Sequence, residues 1–138
     1  MLRVLVVEDS HINMRLAETI LSRDGHVVLH AGRGADGIHI AHTQRPDVVL
    51  MDLGLPDMDG AEAARMLKAD PMTRDIVIIA VTAFAMKADR ERALVAGCDA
   101  FITKPIDRLE LLNALRSVET RREADLLGDR AIASTDQR

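Results

Sequence analysis

The sequence predicts an α/β fold, a single doubly wound sheet of five parallel strands in the order 2-1-3-4-5 with helices on both faces. Five short runs rich in β-branched residues alternate with five longer amphipathic stretches along the 138 residues. Consecutive strand–helix units form parallel sheets, because each right-handed crossover packs its helix back onto the sheet. The order 2-1-3-4-5 is a common one for doubly wound sheets, and the length fits a single domain.

The five predicted strands fall into two groups by their apolar content. Residues 3–7, 47–51 and 76–82 are almost continuously apolar, which is typical of strands buried on both faces. Residues 26–31 and 100–103 mix polar and apolar side chains. We expect these two strands at the sheet edges or beside a functional surface.

Each predicted helix has residues that begin or end it. The first lies between a capping Ser10 and Gly25, and its inward stripe is predicted to be Leu16, Ala17, Ile20 and Leu21. The next three end where helix-breaking residues follow, and we place them at 35–45, 61–69 and 87–96. The fourth helix has only a thin apolar stripe, so we expect it to be weakly docked; the stripe is Ala93, Leu94 and Gly97.

The fifth helix begins with Asp107 as its cap and Glu110 three residues later, which is a capping-box pattern. Its apolar face weakens after about residue 119. We therefore expect a domain at 1–120, followed at 121–138 by a helix extension that Gly128 ends and a flexible polar tail.

Composition excludes several classes of function. The net charge is −4 and the only aromatic residues are Phe84 and Phe101, which argues against a nucleic-acid surface or a base-stacking platform. The first apolar run is too short for a membrane span or a signal peptide. The single cysteine, Cys98, forms no internal disulfide and is expected to be a small buried side chain. We expect a cytoplasmic protein that binds neither nucleic acid nor membrane.

Five polar side chains follow the predicted strands at their carboxyl ends. They are Glu8, Asp9, Asp52, Thr82 and Lys104. Ligands of open parallel sheets bind at this edge, and a hydrophobic core requires none of these residues. Each alone has an ordinary explanation as a cap, turn, strand or surface residue. Their convergence on one edge predicts a site.

The chemistry of this predicted site follows from its charges. Two carboxylates about 4 Å apart repel by about 4 kcal/mol at an effective dielectric constant of about 20, and a divalent cation relieves that repulsion. Oxygen ligands without histidine or cysteine favour Mg²⁺. A carboxylate beside Mg²⁺ and a lysine is suited to attack phosphorus and form an aspartyl phosphate.

Four segments together resemble a known family. They are VLVVEDS at 4–10, VVLMDLGLPDMDG at 48–60, IIAVTA at 78–83 and AGCDAFITKPI at 96–106. Over roughly residues 2–120 the chain resembles the response-regulator receiver domains of two-component signalling, and among them the single-domain, DivK-like receivers. The four segments together are far more specific for this family than any one of them alone.

The resemblance implies a role for each site residue. Asp52 is implied to be the phosphoacceptor. Glu8, Asp9, Asp52 and the backbone carbonyl of Gly54 are implied to bind Mg²⁺, with Mn²⁺ as a substitute. It also implies that Lys104 pairs with the phosphoryl charge, that Thr82 and Phe101 form the conformational switch, and that the Lys104–Pro105 peptide is cis.

The resemblance also implies partners and an output. The phosphoryl donor is expected to be a phosphohistidine of a histidine kinase or a phosphotransfer protein. A downstream protein is expected to bind the face formed by the fourth helix, fifth strand and fifth helix. Such a chain is a phosphoacceptor and not a metabolic enzyme. Gly54 and Phe84 occupy the positions that flank the attacking water in this family, and because neither can orient water, we expect slow dephosphorylation.

Four other interpretations of the sequence are open. Gly32, Gly34 and Gly37 match the dinucleotide-binding pattern G-x-G-x-x-G. Asp57 and Asp59 match the D-x-D of phosphatases of the haloacid-dehalogenase type. The pairs His39–His42 and His26–His30 have metal-ligand spacing, although we expect surface roles for them. In the fourth, the chain is an interaction module in which phosphorylation is vestigial.

Overall fold

The computed structural model describes residues 1–84 and 86–136, with side chains as far as residue 127. The strands are β1 (Arg3–Val7), β2 (Val27–Ala31), β3 (Val48–Asp52), β4 (Val77–Thr82) and β5 (Ala100–Thr103). The helices are α1 (His11–Arg23), α2 (Gly34–Gln44), α3 (Gly60–Ala69), α4 (Lys87–Val95) and α5 (Arg108–Asp136). Every predicted strand and helix is present, within a few residues of its expected bounds except at the end of α5.

The five strands form one parallel sheet in the order β2-β1-β3-β4-β5. This confirms the predicted fold class and strand order. β3 is buried throughout, whereas β2 and β5 are only partly buried and lie at the two edges. The mixed composition of the edge strands therefore reflects their position, because each has a neighbour on only one side.

Side chains that alternate along the strands fill two separate cores. Leu5 and Val7 of β1 belong to the core beneath α2, α3 and α4. Val4 and Val6 belong to the core beneath α1 and α5. The sheet is thus covered on both faces, and its polar groups concentrate at the ends of the strands.

The predicted helix boundaries are mostly confirmed. The Ser10 hydroxyl accepts a hydrogen bond from the Asn13 amide at the start of α1 (3.4 Å), and the Asp107 carboxylate accepts one from the Glu110 amide (3.2 Å). Gly25 and Gly97 follow α1 and α4 with φ of +84° and +94°, conformations that favour glycine.

Three expectations about the helices are wrong. Leu16 of α1 is 38% exposed, because it lies about a quarter turn from the buried centre of the helix and therefore flanks the inward stripe. Leu94 of α4 is 71% exposed, and Ala93 is the only buried residue of that helix. Helix α5 continues past Gly128 to Asp136, since an interior glycine weakens a helix by about 1 kcal/mol relative to alanine without ending it.

The sequence also predicts the absence of a membrane span. Within the described residues, none of the helices combines the length and the apolar content needed to cross a bilayer.

Candidate functional site

Four of the predicted site residues converge at the carboxyl edge of the sheet. Glu8 directly follows β1, Asp52 and Thr82 end β3 and β4, and Lys104 directly follows β5. Glu8, Asp52 and Thr82 are only 6%, 4% and 5% exposed. Because the strands are parallel and in register, residues far apart in the sequence are brought to the same edge.

Lys104 joins the two buried carboxylates. Its Nζ lies 2.6 Å from Glu8 Oε1 and 3.0 Å from Asp52 Oδ2. Its own amide donates to the carbonyl of Thr82 (2.7 Å). The Lys104–Pro105 peptide is cis, as the resemblance implied. The contact with Glu8 has no signal in the sequence, because it depends on how the strands β1 and β5 are spaced across the sheet.

Burial perturbs the ionisation of the lysine and of one carboxylate. The pKa of Glu8 is raised, chiefly because burial disfavours its charge, although the hydrogen bond from Lys104 acts in the opposite direction. Burial disfavours the charge of Lys104 as well, yet its pKa is raised because hydrogen bonds to Glu8 and Asp52 outweigh that penalty. The site therefore holds one firmly charged cation among an excess of acidic groups.

A cluster of three acidic residues stands beside this lysine. Glu8, Asp9 and Asp52 each present a carboxylate oxygen, and these three oxygens lie within 4.8 Å of one another. Asp9 is exposed while the other two are buried, so the cluster is open to solvent on one side. Carboxylate oxygens that share one open position suit a hard divalent cation, so the three residues could hold a metal.

The loop that follows Asp52 is fixed at both ends. The Gly54 amide donates to Asp52 Oδ1 (2.9 Å), and Gly54 pairs with Asp59 in an isolated antiparallel bridge. At the far end, a Cβ on Gly60 would lie 2.7 Å from the Cα of Leu53 and closer still to the carbonyl oxygen of Asp52. Only glycine fits there, so α3 begins directly against the backbone that carries Asp52.

The predicted switch residues lie on neighbouring strands. Thr82 Oγ1 accepts a hydrogen bond from the Phe84 amide (3.1 Å), and the Phe84 ring is 70% exposed. Phe101 is half-buried on β5 opposite Ala80, with the guanidinium carbon of Arg90 in α4 5.3 Å from its ring centroid. This distance is within the range of a cation–π contact.

The glycines of the G-x-G-x-x-G pattern have a packing role. A Cβ on Gly34 would lie 2.6 Å from the Sδ of Met58, and one on Gly37 would lie 2.7 Å from the side chain of Val7. These two glycines let α2 approach the sheet and the loop after Asp52. Their strand, β2, lies at the sheet edge and not beside a change of strand order. The dinucleotide interpretation is therefore unsupported.

The aspartates of the D-x-D pattern are engaged in capping two helices. Both carboxylate oxygens of Asp57 accept hydrogen bonds from amides at the start of α2, and Asp59 caps α3 and pairs with Arg92. Neither follows a strand directly, as a nucleophile of that class does. The contact from Asp57 to α2 has no signal in the sequence, because it spans more than twenty residues with no repeating pattern.

The histidines do not form a metal site. His26 is buried, which corrects the expectation of a surface role: its Nδ1 accepts from the Leu2 amide (3.0 Å) and its Nε2 lies 3.0 Å from Asp24. His30 and His42 each lie within 4 Å of a carboxylate. Across the described part of the chain, no histidine belongs to a group of three or more metal-ligating side chains.

The fold and the acidic edge agree with the comparison to known families. Residues 4–116 match the family model of the response regulator receiver domain. The chain therefore belongs to this family, the receivers of two-component signalling, whose general function is to be phosphorylated by a histidine kinase.

The chain is also similar to characterised relatives. It is 40% identical over 114 residues to the polar-differentiation response regulator DivK of Brucella anthropi, covering 83% of this chain and 93% of that protein. The DivK protein of Brucella ovis is 39% identical to this chain over 114 residues, covering 83% of this chain and 93% of that protein.

Solved structures of receiver domains show the same fold. The receiver domain of a sensor histidine kinase from Pseudomonas aeruginosa PAO1, which has a magnesium ion in its active-site cleft, is 37% identical with a TM-score of 0.78, covering 84% of this chain and 95% of that one. The signal receiver domain of a histidine kinase from Syntrophus aciditrophicus is 31% identical with a TM-score of 0.79, covering 86% and 89%.

Proposed function

We propose that this receiver takes a phosphoryl group from a phosphohistidine onto Asp52, with Mg²⁺ bound by Glu8, Asp9, Asp52 and the carbonyl of Gly54. The donor is a histidine kinase or a phosphotransfer protein. The observation that carries the proposal is the bridging of Lys104 between Glu8 and Asp52, next to a third carboxylate. A buried nucleophile, a cation and an open acidic cluster are the parts that phosphoryl transfer requires.

Each residue has a distinct role in the transfer. A carboxylate oxygen of Asp52 attacks phosphorus, the P–N bond to the donor histidine breaks, and the imidazole keeps that electron pair and takes up a proton. A Mg²⁺ ion held by Glu8, Asp9, Asp52 and the Gly54 carbonyl would supply positive charge to the phosphoryl oxygens, and Mn²⁺ has the same preference for oxygen ligands. Lys104 then pairs with the phosphoryl group. The hydroxyl of Thr82 accepts a bond from Phe84, which leaves its proton free to be donated.

The output of this receiver is a change of its binding surface. We propose that a downstream protein binds the face formed by α4, β5 and α5. Around α4 this face exposes large apolar side chains, which favours contact with another protein: Phe84, Met86 and Leu94. The chain acts in signalling in the cytoplasm, without nucleic acid, membrane or a metabolic substrate.

We also propose a division of the chain at residue 120. The receiver comprises 1–120, and a helix extension follows it as far as Asp136; the expected tail beyond that residue lies outside the described residues. Among the α5 side chains that the structure describes, which end at residue 127, the last large buried one is Val118. An ion pair between Arg122 and Asp47 (2.6 Å) contributes to holding the extension. An exposed pair of this kind contributes only about 0.2–1 kcal/mol.

Incubation with a small phosphodonor, followed by intact-mass measurement, tests the phosphoacceptor. We expect one added phosphoryl group in the presence of Mg²⁺ and none in Asp52→Asn. Asp36→Asn, which removes an exposed carboxylate from α2, is the matched control and should be labelled normally. Labelling of Asp52→Asn would refute the assignment.

Asp9→Asn should remain folded but bind Mg²⁺ more weakly, because it removes a negative ligand.

A further inference from the structure

The loop between Asp52 and α3 is tied to its flanking elements by hydrogen bonds at its two ends. Gly54 is tied to Asp52 at one end, and Asp59 caps α3 at the other. Between them, Pro56 and Asp57 are exposed. The loop carries the Gly54 carbonyl, so its conformation decides where that proposed metal ligand lies. A contact with the exposed middle of the loop from outside adds to the two ties at its ends.

Asp57 makes that external contact with the start of α2. Its Oδ1 accepts a hydrogen bond from the Gly34 amide (2.8 Å) and its Oδ2 accepts one from the Ala35 amide (3.0 Å). Helix α2 needs such an acceptor, because Arg33 occupies its N-cap position and makes no side-chain capping bond. The carboxylate also interacts favourably with the positive end of the helix dipole.

Apolar contacts reinforce the same junction. Gly34 lies against Met58 and Leu55 so closely that an added Cβ would be 2.6 Å from the Met58 Sδ and 3.4 Å from a methyl carbon of Leu55. At the end of the same first turn, Gly37 packs directly against the Val7 side chain. Val7 is the last residue of β1, and the acidic residues Glu8 and Asp9 follow it. The first turn of α2 thus contacts both segments that supply the proposed metal ligands.

We propose that Asp57 is a positioning residue for the metal site, holding the Gly54 loop in register with Glu8 and Asp9 through the first turn of α2. The inference rests on the proposed function, since it concerns the geometry of the same ligands. Asp57 acts through the backbone that it fixes and does not touch the metal. Residues that hold metal ligands in place typically change metal affinity by about 10- to 100-fold, and for this indirect contact we expect the lower end.

Magnesium titration of three variants, followed by amide NMR signals, tests the proposal. Asp57→Ala removes both hydrogen bonds and should weaken Mg²⁺ binding about tenfold. Asp57→Asn removes the same charge but keeps one acceptor, so its loss should be smaller. Asp36→Asn removes a charge from the same first turn without touching the loop, and should bind Mg²⁺ like the wild type.

Two further readouts separate positioning from general destabilisation. Thermal unfolding should show all variants folded at the titration temperature. Amide exchange at Gly34, Ala35 and Gly54 should quicken in Asp57→Ala, because the first two amides lose their acceptor and the third loses its fixed loop.

Results that contradict the positioning role can be told apart from results that contradict the metal site. Equal Mg²⁺ affinity in Asp57→Ala and the wild type would overturn the positioning role, as would equal losses in the Ala and Asn variants, which would indicate an effect of charge alone. If the wild type fails to bind Mg²⁺, the proposed metal site is wrong. Exchange at Gly54 then decides the role of Asp57 in the loop, because an unchanged rate in Asp57→Ala overturns it.

Discussion

The Asp52 carboxylate meets a different donor at each oxygen. The Gly54 amide bonds Oδ1 at 2.9 Å, and Lys104 bonds Oδ2 at 3.0 Å. Because a separate donor bonds each oxygen, the two contacts fix the orientation of the buried carboxylate. A carboxylate oxygen held in a fixed orientation is suited to attack phosphorus.

We predict that Phe84 lengthens the lifetime of the phosphoryl group on Asp52. Its ring is exposed beside the edge that carries Thr82, and it has no group that orients or deprotonates water. Gly54, the other residue in a flanking position, has no side chain. We expect Phe84→Glu to dephosphorylate faster than the wild type by a factor of about ten or more, since a positioned base contributes about 10²–10⁴-fold in enzymes.

The decay of labelled protein, followed by intact mass, measures this effect. Phe84→Leu is the matched control, because it changes the size of the side chain without adding an acceptor, and it should decay slowly. Decay of Phe84→Glu at the wild-type rate would rule out this account of the lifetime and leave the assignment of Asp52 unaffected.

Among the elements, α4 is the one most easily moved. It buries only Ala93 and exposes Leu94 and Val95, so little apolar area holds it to the sheet. One visible restraint is the contact of Arg90 with Phe101, and exposed cation–π contacts contribute about 0.5–1 kcal/mol. We therefore expect a change at Thr82 to shift α4 more readily than the better-buried helices.

We predict that phosphorylation moves α4 and β5 more than the opposite side of the sheet. The modification adds a charge of about −1.5 to −2 beside Thr82 and Lys104, so Thr82 turns inward to donate and Phe101 fills the vacated space. Amide shifts with a phosphoryl analogue should be larger in 84–106 than in 12–40.

Thr82→Ala should accept the phosphoryl group yet show smaller shifts, whereas Thr82→Ser retains the hydroxyl and should respond. Equal shifts in the two regions would argue against this switch.

For the whole molecule, the acidic edge links stability to pH and to metal. Burial raises the pKa of Glu8, so the folded state holds a proton that the unfolded state has already lost. In that window, from the ordinary carboxyl pKa up to the raised one, Glu8 lowers stability as the pH rises. Mg²⁺ bound at the proposed site would oppose this loss, because metal binding requires deprotonated ligands.

We predict that Mg²⁺ raises the Tm more at about pH 7.5 than at about pH 5. At a concentration roughly a hundred times Kd, a ligand adds about 2.7 kcal/mol to the free energy of unfolding. A chelator should reverse the increase. Asp9→Asn should show a smaller increase at the higher pH, and its Tm without metal serves as the control for folding. An increase that does not vary with pH would contradict the coupling.

Local patterns in the sequence determined the elements and the edge where the site lies. The apolar runs predicted the strands, and capping residues such as Ser10 and Asp107 predicted where helices begin. Parallel strands place the residues that follow them on one edge, so Glu8, Asp52, Thr82 and Lys104 could be grouped before any contact was known. Their roles came from the resemblance, because spacing alone left each with an ordinary alternative.

Only the tertiary structure decided which of these groups touch and what surrounds them. The bridge from Lys104 to Glu8, the contact of Asp57 with α2 and the close packing of Gly34 on Met58 join segments far apart in the chain. Such contacts depend on strand spacing and helix orientation, which leave no periodicity to detect. The burial of His26 and the exposure of Leu16 were missed for the same reason: a pattern gives the face of an element, whereas packing against neighbours decides what that face covers.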